Sequence, residues 1–134
     1  MNELKIEDLS IGDWVMAGGA PHRVLSVNHY GVLVDTSQGL HPYNLEFLSP
    51  IPITPDILEK NGFVKESEVS YERFEWRENG SVAITLNRDS FSKSETFVLT
   101  TFKIGINGWL LKIEHVHQLQ HAIRLAGIEK DIEV

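Results

Sequence analysis

The stretch Pro50–Phe63, PIPITPDILEKNGF, constrains the fold of this chain more than any other part of the sequence. Its first two prolines fix their own φ and favour extended backbone before them, so the chain enters the stretch as a stiff segment. Thr54 can then cap a helix through its hydroxyl, with Pro55 at the first helical position. Gly62 predicts the end of that helix after about two turns, because glycine adopts the left-handed conformation at little cost.

The apolar residues around this short helix predict that one leucine of the helix is contacted from both of its ends. Ile53 precedes the cap and Leu58 is the fourth helical residue, which is the pair that forms a hydrophobic staple. Phe63 follows the C-terminal glycine and can contact the same Leu58. A helix this short is not stable alone in water. The stretch is therefore interpreted as a packed joint between two β-rich halves.

Two strings of the sequence resemble a known family. PIPITPDILEKNGF and the later HVHQLQHAIRLAG are similar to strings in small uncharacterised proteins of gut anaerobic bacteria and their prophages, which also open with a β-rich segment containing an IGDWV-like string. The resemblance covers most of the chain. It implies the same fold outline and a bacterial, cytoplasmic protein, and it implies no activity, cofactor or catalytic residue.

The length of 134 residues fits one domain or two small subdomains that share a core. No apolar run approaches the roughly 18 residues needed to span a bilayer, and the acidic N-terminal residues do not form a signal peptide. The sequence contains no cysteine, which excludes a disulfide framework and a thiol nucleophile. These features predict a cytoplasmic protein with no membrane partner.

The charge balance disfavours nucleic acid as a partner. The net charge is −7, from 12 basic and 19 acidic residues. Residues 1–52 hold 2 basic and 6 acidic residues, so 2 − 6 gives −4, and the remainder holds 10 and 13, giving −3. Neither half has the basic excess that is typical of a phosphate-binding surface.

The first half, residues 1–52, predicts a small SH3-like β-barrel. Short apolar segments separated by glycine-containing turns suggest four or five strands, at about residues 9–16, 22–28, 32–34 and 40–43. Strands this short bury little surface unless their sheet curls on itself, which is the reason for expecting a barrel. The barrel type by itself indicates no ligand.

The second half, residues 53–134, predicts an α+β subdomain in which the short helix is followed by a four-stranded antiparallel sheet. Asn79-Gly80 and Asn107-Gly108 are both hairpin signals, and each lies between two segments of strand-like sequence. A loop is expected from Asn87 onwards. The last element is a helix with an apolar stripe at helical spacing, expected to pack on the sheet and formed by Val116, Leu119, Ala122, Ile123 and Ala126.

One set of residues on the predicted C-terminal helix could bind a metal ion. Glu114, His117 and His121 lie within about a 60° sector of the helix, and two histidines at i, i+4 can share a metal. The His-Glu-x-x-His protease pattern is absent, because Gln118 stands where its glutamate belongs. The alternative interpretation is a solvated helix face. No phosphate-binding glycine loop and no nucleophile elbow occurs in the sequence.

Four aromatic residues of the first half could line a binding groove: Trp14, Tyr30, Tyr43 and Phe47. Aromatic side chains line the grooves of small barrels that bind extended peptides. The alternative is that they form the core of the barrel, because a domain this small needs large side chains inside. Both interpretations are open at this point.

Three functions follow from these patterns. The leading hypothesis is a non-enzymatic protein-binding or adaptor module, without a cofactor, acting on an unidentified protein partner or as a homodimer through the aromatic surface. The second is a nucleic-acid-associated accessory protein that uses the local basic cluster of Arg73, Arg77, Arg88 and Lys93. The third is a metal-dependent enzyme that uses Glu114, His117 and His121.

Overall fold

A computed structural model describes residues 4–29, 31–67, 71–89, 102–106 and 109–134 of the chain. The chain divides into two compact units. The first comprises the residues up to Ile51 together with His115–Gln120 and Val134, and the second comprises Pro52–Glu114 and His121–Glu133. The predicted subdomains, residues 1–52 and 53–134, stay a prediction. The observed division differs from them because the start of the C-terminal helix belongs to the first unit.

The first unit is built on one antiparallel sheet. Its strands are β1 (Trp14–Ala17), β2 (Ala20–Asn28), β3 (Gly31–Thr36), β4 (Gly39–Tyr43) and β5 (Leu48–Ser49), in the order β4-β3-β2-β1-β5. Within the described part of the chain β4 and β5 each pair with one strand, so the sheet is open. The predicted SH3-like barrel is not confirmed, because the two edge strands are short and do not pair with each other.

The core of the first unit comes from alternate residues of its central strands. Val15, Val24, Val32 and Val34 are fully or almost fully buried, and they pack with the further buried residues Leu4, Leu9, Ala17 and Leu48. A β-bulge in β2 between Val24 and Ser26 interrupts the alternation. Leu25, which follows buried Val24 at the bulge, is exposed. Alternate residues of β1 and β3 therefore face this core, and the residues between them face away from it.

The helix expected after the prolines is confirmed in the second unit as α1 (Pro55–Lys60). The Thr54 hydroxyl accepts a hydrogen bond from the backbone N–H of Ile57 at 3.2 Å. At the other end Gly62 has φ +88°, and the N–H of Phe63 donates to the carbonyl of Leu58 at 3.0 Å. This is a Schellman ending, and Leu58 is fully buried. Burial of one such leucine side chain stabilises the fold by about 2 kcal/mol.

The sheet of the second unit has five described strands rather than the predicted four. They are β6 (Val64–Ser67), β7 (Tyr71–Glu78), β8 (Ser81–Asp89), β9 (Phe102–Ile106) and β10 (Trp109–Ile113), in the order β10-β9-β8-β7-β6. Sequence reasoning missed β6 because it is a short edge strand with charged residues, which are typical of sheet edges. All the pairings described in this sheet are antiparallel, so the α+β class is confirmed.

The first predicted hairpin turn is confirmed. Asn79 and Gly80 have φ +53° and +83°, as a type I′ turn requires. The second, Asn107-Gly108, lies outside the described residues. The loop expected from Asn87 is wrong at its start, since β8 continues to Asp89 through pairing with β7. Pairing across the sheet extended a strand that the polar local sequence did not indicate.

The C-terminal helix α2 (Val116–Leu125) buries most of its predicted apolar stripe. The buried members are Val116, Leu119, Ala122 and Ile123, whereas Ala126, just after the helix, is partly exposed. Gly127 follows with φ +75°, and Ile128 donates its N–H to the carbonyl of Ile123 at 3.1 Å. The helix therefore ends where its glycine predicts. In the part of the chain described here, no helix is long and apolar enough to cross a bilayer.

Candidate binding groove

A groove of about 400 Å³ lies on the sheet of the first unit. Its apolar lining comes from Val32, Leu33, Pro42, Tyr43 and Phe47, and its remaining lining comes from Ser26, Asn28, Gly31 and Asn44. Ser26 pairs with Leu33, and Leu33 pairs with Pro42, so these three residues form a row across β2, β3 and β4. None of the described side chains that line the groove carries a charge at neutral pH.

Phe47 gives the groove an exposed aromatic rim. It ends a single 3₁₀ turn, Leu45–Phe47, that follows β4. Leu45 of this turn packs against the buried core, whereas the Phe47 side chain is 62% exposed. A 3₁₀ turn separates consecutive side chains by about 120°, so one turn can present one residue to the core and another to solvent. Phe47 therefore adds an exposed aromatic surface to the apolar side chains of Leu33 and Pro42 in the groove lining.

Tyr43 contributes to both the core and the groove. Its side chain is partly buried and packs against the core of the first unit, and the same residue lines the groove. Its ring centroid lies 4.7 Å from that of His41, with the ring planes tilted by 53°. Tyr43 therefore packs against the core as one interpretation expects, and its role in binding stays a prediction.

Gly31 allows the close approach of backbone that forms one end of the groove. It has φ +150°, and a Cβ atom at this position would overlap the carbonyl oxygen of Tyr43. The same Cβ would lie 3.5 Å from the Cα of Asn44. Only glycine fits at this position without displacing the end of β4.

Trp14 lies outside the groove lining. The Arg23 guanidinium carbon is 4.5 Å from the Trp14 ring centroid, which is a cation–π contact. The Trp14 backbone N–H donates to Oε1 of buried Gln120 at 2.9 Å, and Nε2 of Gln120 donates to the carbonyl of Gly12, also at 2.9 Å. These contacts hold the start of β1. Tyr30, the fourth predicted aromatic, lies outside the described residues.

Sequence reasoning missed several lining residues, above all Leu33, Pro42 and the amides of Asn28 and Asn44. The period-two alternation of β3 was a usable signal for Leu33, because its neighbours Val32 and Val34 face the core. No local pattern indicated that Asn44 and Phe47 would approach β2 and β3. That proximity depends on the pairing of β3 with β4.

The two arginines of the nucleic-acid alternative whose side chains the structure describes, Arg73 and Arg77, share one acidic neighbour. Arg73 and Arg77 both approach the carboxylate of Glu75, at 3.8 and 3.3 Å. Arg73 also donates through Nε to Oδ1 of Asn87 at 3.1 Å. The side chain of Arg88 and the whole of Lys93 lie outside the described part of the structure. The nucleic-acid function stays a prediction to which this arrangement adds no support.

The residues of the metal alternative are likewise not grouped as ligands. His117 is buried, and its ring stacks on that of His115 with centroids 5.9 Å apart and planes 9° from parallel. Glu114 and His121 are partly exposed. Over the described ranges, no group of three or more His, Asp or Glu residues could hold a metal ion. The metal-dependent function also stays a prediction without support from the geometry.

Comparison of the chain with protein-family models, with curated proteins and with solved structures gave no match. The resemblance to the family of small bacterial and prophage proteins therefore stays a prediction. The function proposed below is argued from the groove alone.

Proposed function

We propose that this protein is a non-enzymatic binding module, whose first unit holds an extended segment of a partner protein in the groove. The observation that carries the proposal is the 62% exposure of Phe47 at the rim of a lining without charge. A partner segment that covered this ring and the adjacent row of Leu33 and Pro42 would remove apolar surface from water, the main favourable term in association.

The chemistry of the lining supports binding rather than catalysis. The described lining contains amides, two hydroxyls and apolar side chains, and it contains no histidine, carboxylate or lysine. A general acid or base needs a group that exchanges a proton near neutral pH, and a serine nucleophile needs such a base beside it. Ser26 has no base beside it among the groove residues.

The experiment that tests the proposal is selection from a library of random peptides displayed on phage. Enriched peptides are then measured against the protein and two variants. Phe47→Ala removes the aromatic rim. Leu40→Ala is the matched control, because Leu40 is 60% exposed on β4 but does not line the groove.

Peptides held by the groove are expected to bind Phe47→Ala about thirtyfold more weakly, which corresponds to the roughly 2 kcal/mol lost on truncating a central aromatic contact. Their affinity for Leu40→Ala is expected to equal that for the unaltered protein. Enrichment of no peptide, or of peptides indifferent to Phe47→Ala, would overturn the proposal. Thermal unfolding of both variants serves to show that they remain folded.

A further inference from the structure

We infer that Asn79, at the tip of the β7–β8 hairpin, is a site of spontaneous deamidation, whereas Asn61, in the same Asn-Gly pair of residues, is protected by its contacts. The sequence contains three Asn-Gly pairs. Asn107-Gly108 lies outside the described residues, so the structure distinguishes the first two. Neither Asn61 nor Asn79 is among the described residues of the groove, so this chemistry does not depend on the proposed function.

The reaction is an intramolecular attack of a backbone nitrogen on the preceding side chain. The glycine nitrogen loses its proton to water and bonds to Cγ of the asparagine, while Nδ2 takes up a proton and leaves as ammonia. Water then adds to one of the two carbonyl carbons of the cyclic imide and breaks its C–N bond, which yields aspartate or isoaspartate. Glycine favours the attack, because it has no Cβ to obstruct the approach of the side chain to its nitrogen.

Asn79 and Gly80 lie where the chain is easily opened. They form a two-residue turn, and the pair of residues that flanks it, Glu78 and Ser81, is the last pair of the ladder between β7 and β8. All four residues are exposed. Opening of an exposed hairpin tip needs little free energy. The nitrogen of Gly80 can therefore reach Cγ of Asn79 through movement of the turn alone.

Asn61 belongs to the same sequence pair but is held by its surroundings. It is buried, and its side-chain amide is bonded to Ile57 and Glu133 through both Nδ2 and Oδ1, at 2.7 Å in each case. The attacking nitrogen is bonded as well, because the N–H of Gly62 donates to the carbonyl of Glu59 at 3.1 Å. Imide formation here requires Asn61 to leave its partners and Gly62 to break its own hydrogen bond.

The hydrogen bonds of the Asn61 side chain determine the size of the difference between the two sites. Breaking one hydrogen bond reduces the population that can react about fivefold. The three bonds of this side chain together should slow its deamidation about a hundredfold relative to Asn79. This protection is a property of the fold, so it should disappear in the unfolded chain.

The two products of the reaction change the turn differently. Aspartate followed by glycine suits the same type I′ turn and adds one negative charge beside Glu78. Isoaspartate lengthens the backbone by a methylene group at the residue with φ +53°, so the loop no longer matches the register of its strands. The isoaspartate product is therefore the one expected to loosen the hairpin.

The test incubates the full chain in heavy-oxygen water, both folded and in concentrated urea. Trypsin then separates the two sites, because Asn61 lies in peptide 61–65 and Asn79 in peptide 78–88. Mass spectrometry measures the heavy oxygen gained over time, and fragment spectra distinguish Asn79 from Asn87 in the same peptide. We expect Asn79 to react about a hundredfold faster than Asn61 in the folded protein, and both to react at similar rates in urea.

Two variants test the two parts of the inference. Ile132→Ala removes a buried side chain next to Glu133 and is expected to accelerate reaction at Asn61, with Asn79 as the internal control. Gly80→Ala, measured in urea, is expected to slow reaction at Asn79 several-fold while Asn61 keeps its rate. The measurement in urea makes this second result independent of whether the variant folds.

Equal rates at the two sites in the folded protein would overturn the inference, and so would a faster reaction at Asn61. Absence of label at both sites in the folded protein, over a time in which both react in urea, would also overturn it. A difference that persisted in urea would place the cause in the neighbouring sequence and refute the protection by the fold. An unchanged rate at Asn79 in Gly80→Ala would refute attack by the glycine nitrogen.

Discussion

Gly31 and Tyr43 approach so closely that a Cβ on Gly31 would overlap the Tyr43 carbonyl oxygen. This contact holds the end of β4 against the start of β3, where the groove begins. The shape of the groove therefore depends on the absence of one side chain. A substitution of Gly31 would therefore alter the groove without removing any of the side chains that line it.

Gly31→Ala is expected to lower the free energy of unfolding by about 3 kcal/mol, through an unfavourable φ and the overlap with Tyr43. Gly39→Ala is the matched control, because Gly39 has φ +102° and a Cβ there meets no atom within 4 Å. It should cost only the backbone strain, about 1 to 2 kcal/mol. Urea unfolding of both variants measures the difference, and equal losses would show that the overlap is relieved without cost.

Leu58→Ala is expected to destabilise the protein by about 2 to 5 kcal/mol, because it leaves a cavity at a fully buried position between the two ends of α1. Leu125→Ala in α2 is the control for loss of leucine from a helix, since Leu125 is 85% exposed. Its effect should stay within about 0.5 kcal/mol. Thermal and chemical unfolding give both values. Similar losses for the two variants would contradict the role of Leu58 in the second unit.

Asn61 joins the end of α1 to the C-terminal segment. Its Nδ2 donates to the carbonyls of Ile57 and Glu133, both at 2.7 Å, and its Oδ1 accepts from the N–H of Glu133, also at 2.7 Å. Asn61→Ala is expected to cost about 2 to 3 kcal/mol, because it leaves partly buried backbone groups without these partners.

Hydrogen exchange of the Glu133 amide is the local readout for Asn61→Ala and should become much faster in the variant. Thr54→Ala is the comparison, since it removes the cap at the other end of the same helix at a cost of about 1 kcal/mol. It should leave exchange at Glu133 close to that of the unaltered protein. Unchanged exchange in Asn61→Ala would show that the segment is held by other contacts.

Lys130 makes the stability depend on pH in the alkaline range. Burial lowers the pKa of Lys130 below its ordinary 10.5, against the opposing effect of Asp131, and the ammonium lies 4.8 Å from the Trp76 ring centroid. At a pH below the lowered pKa, the Lys130 ammonium is charged in both the folded and the unfolded protein. The folded protein then bears the full free-energy cost of burying that charge. This cost is relieved as the pH rises from the lowered pKa to 10.5.

The stability of the unaltered protein relative to Lys130→Met should therefore increase as the pH rises from neutral towards 10.5. The unfolding temperatures of both proteins are measured across this pH range. The difference between them isolates Lys130, because every other titrating group contributes to the stability of both proteins. Lys60→Met, at an exposed position of α1, controls for the loss of a surface lysine. A difference that does not vary with pH would contradict the lowered pKa.

Local elements were well predicted from the sequence because the interactions that form them span few residues. The Thr54 cap, the Gly62 ending and the Asn79-Gly80 turn each depend on neighbours within about one turn of chain. Their residues are adjacent in sequence, so the physical argument needed no knowledge of the rest of the molecule. The buried stripe of α2 was predictable for the same reason, through its helical spacing.

The open sheet, the edge strand β6 and the groove were decided only by the tertiary structure. Phe47 and the row from Ser26 to Pro42 become neighbours through strand pairing, and Gln120 reaches the backbone of Trp14 across 106 positions of sequence. Local propensity does not encode these contacts, because each depends on which distant segments pair. The sequence alone therefore determined the turns, caps and apolar faces of this protein, whereas long-range pairing decided which of those faces remained open to a partner.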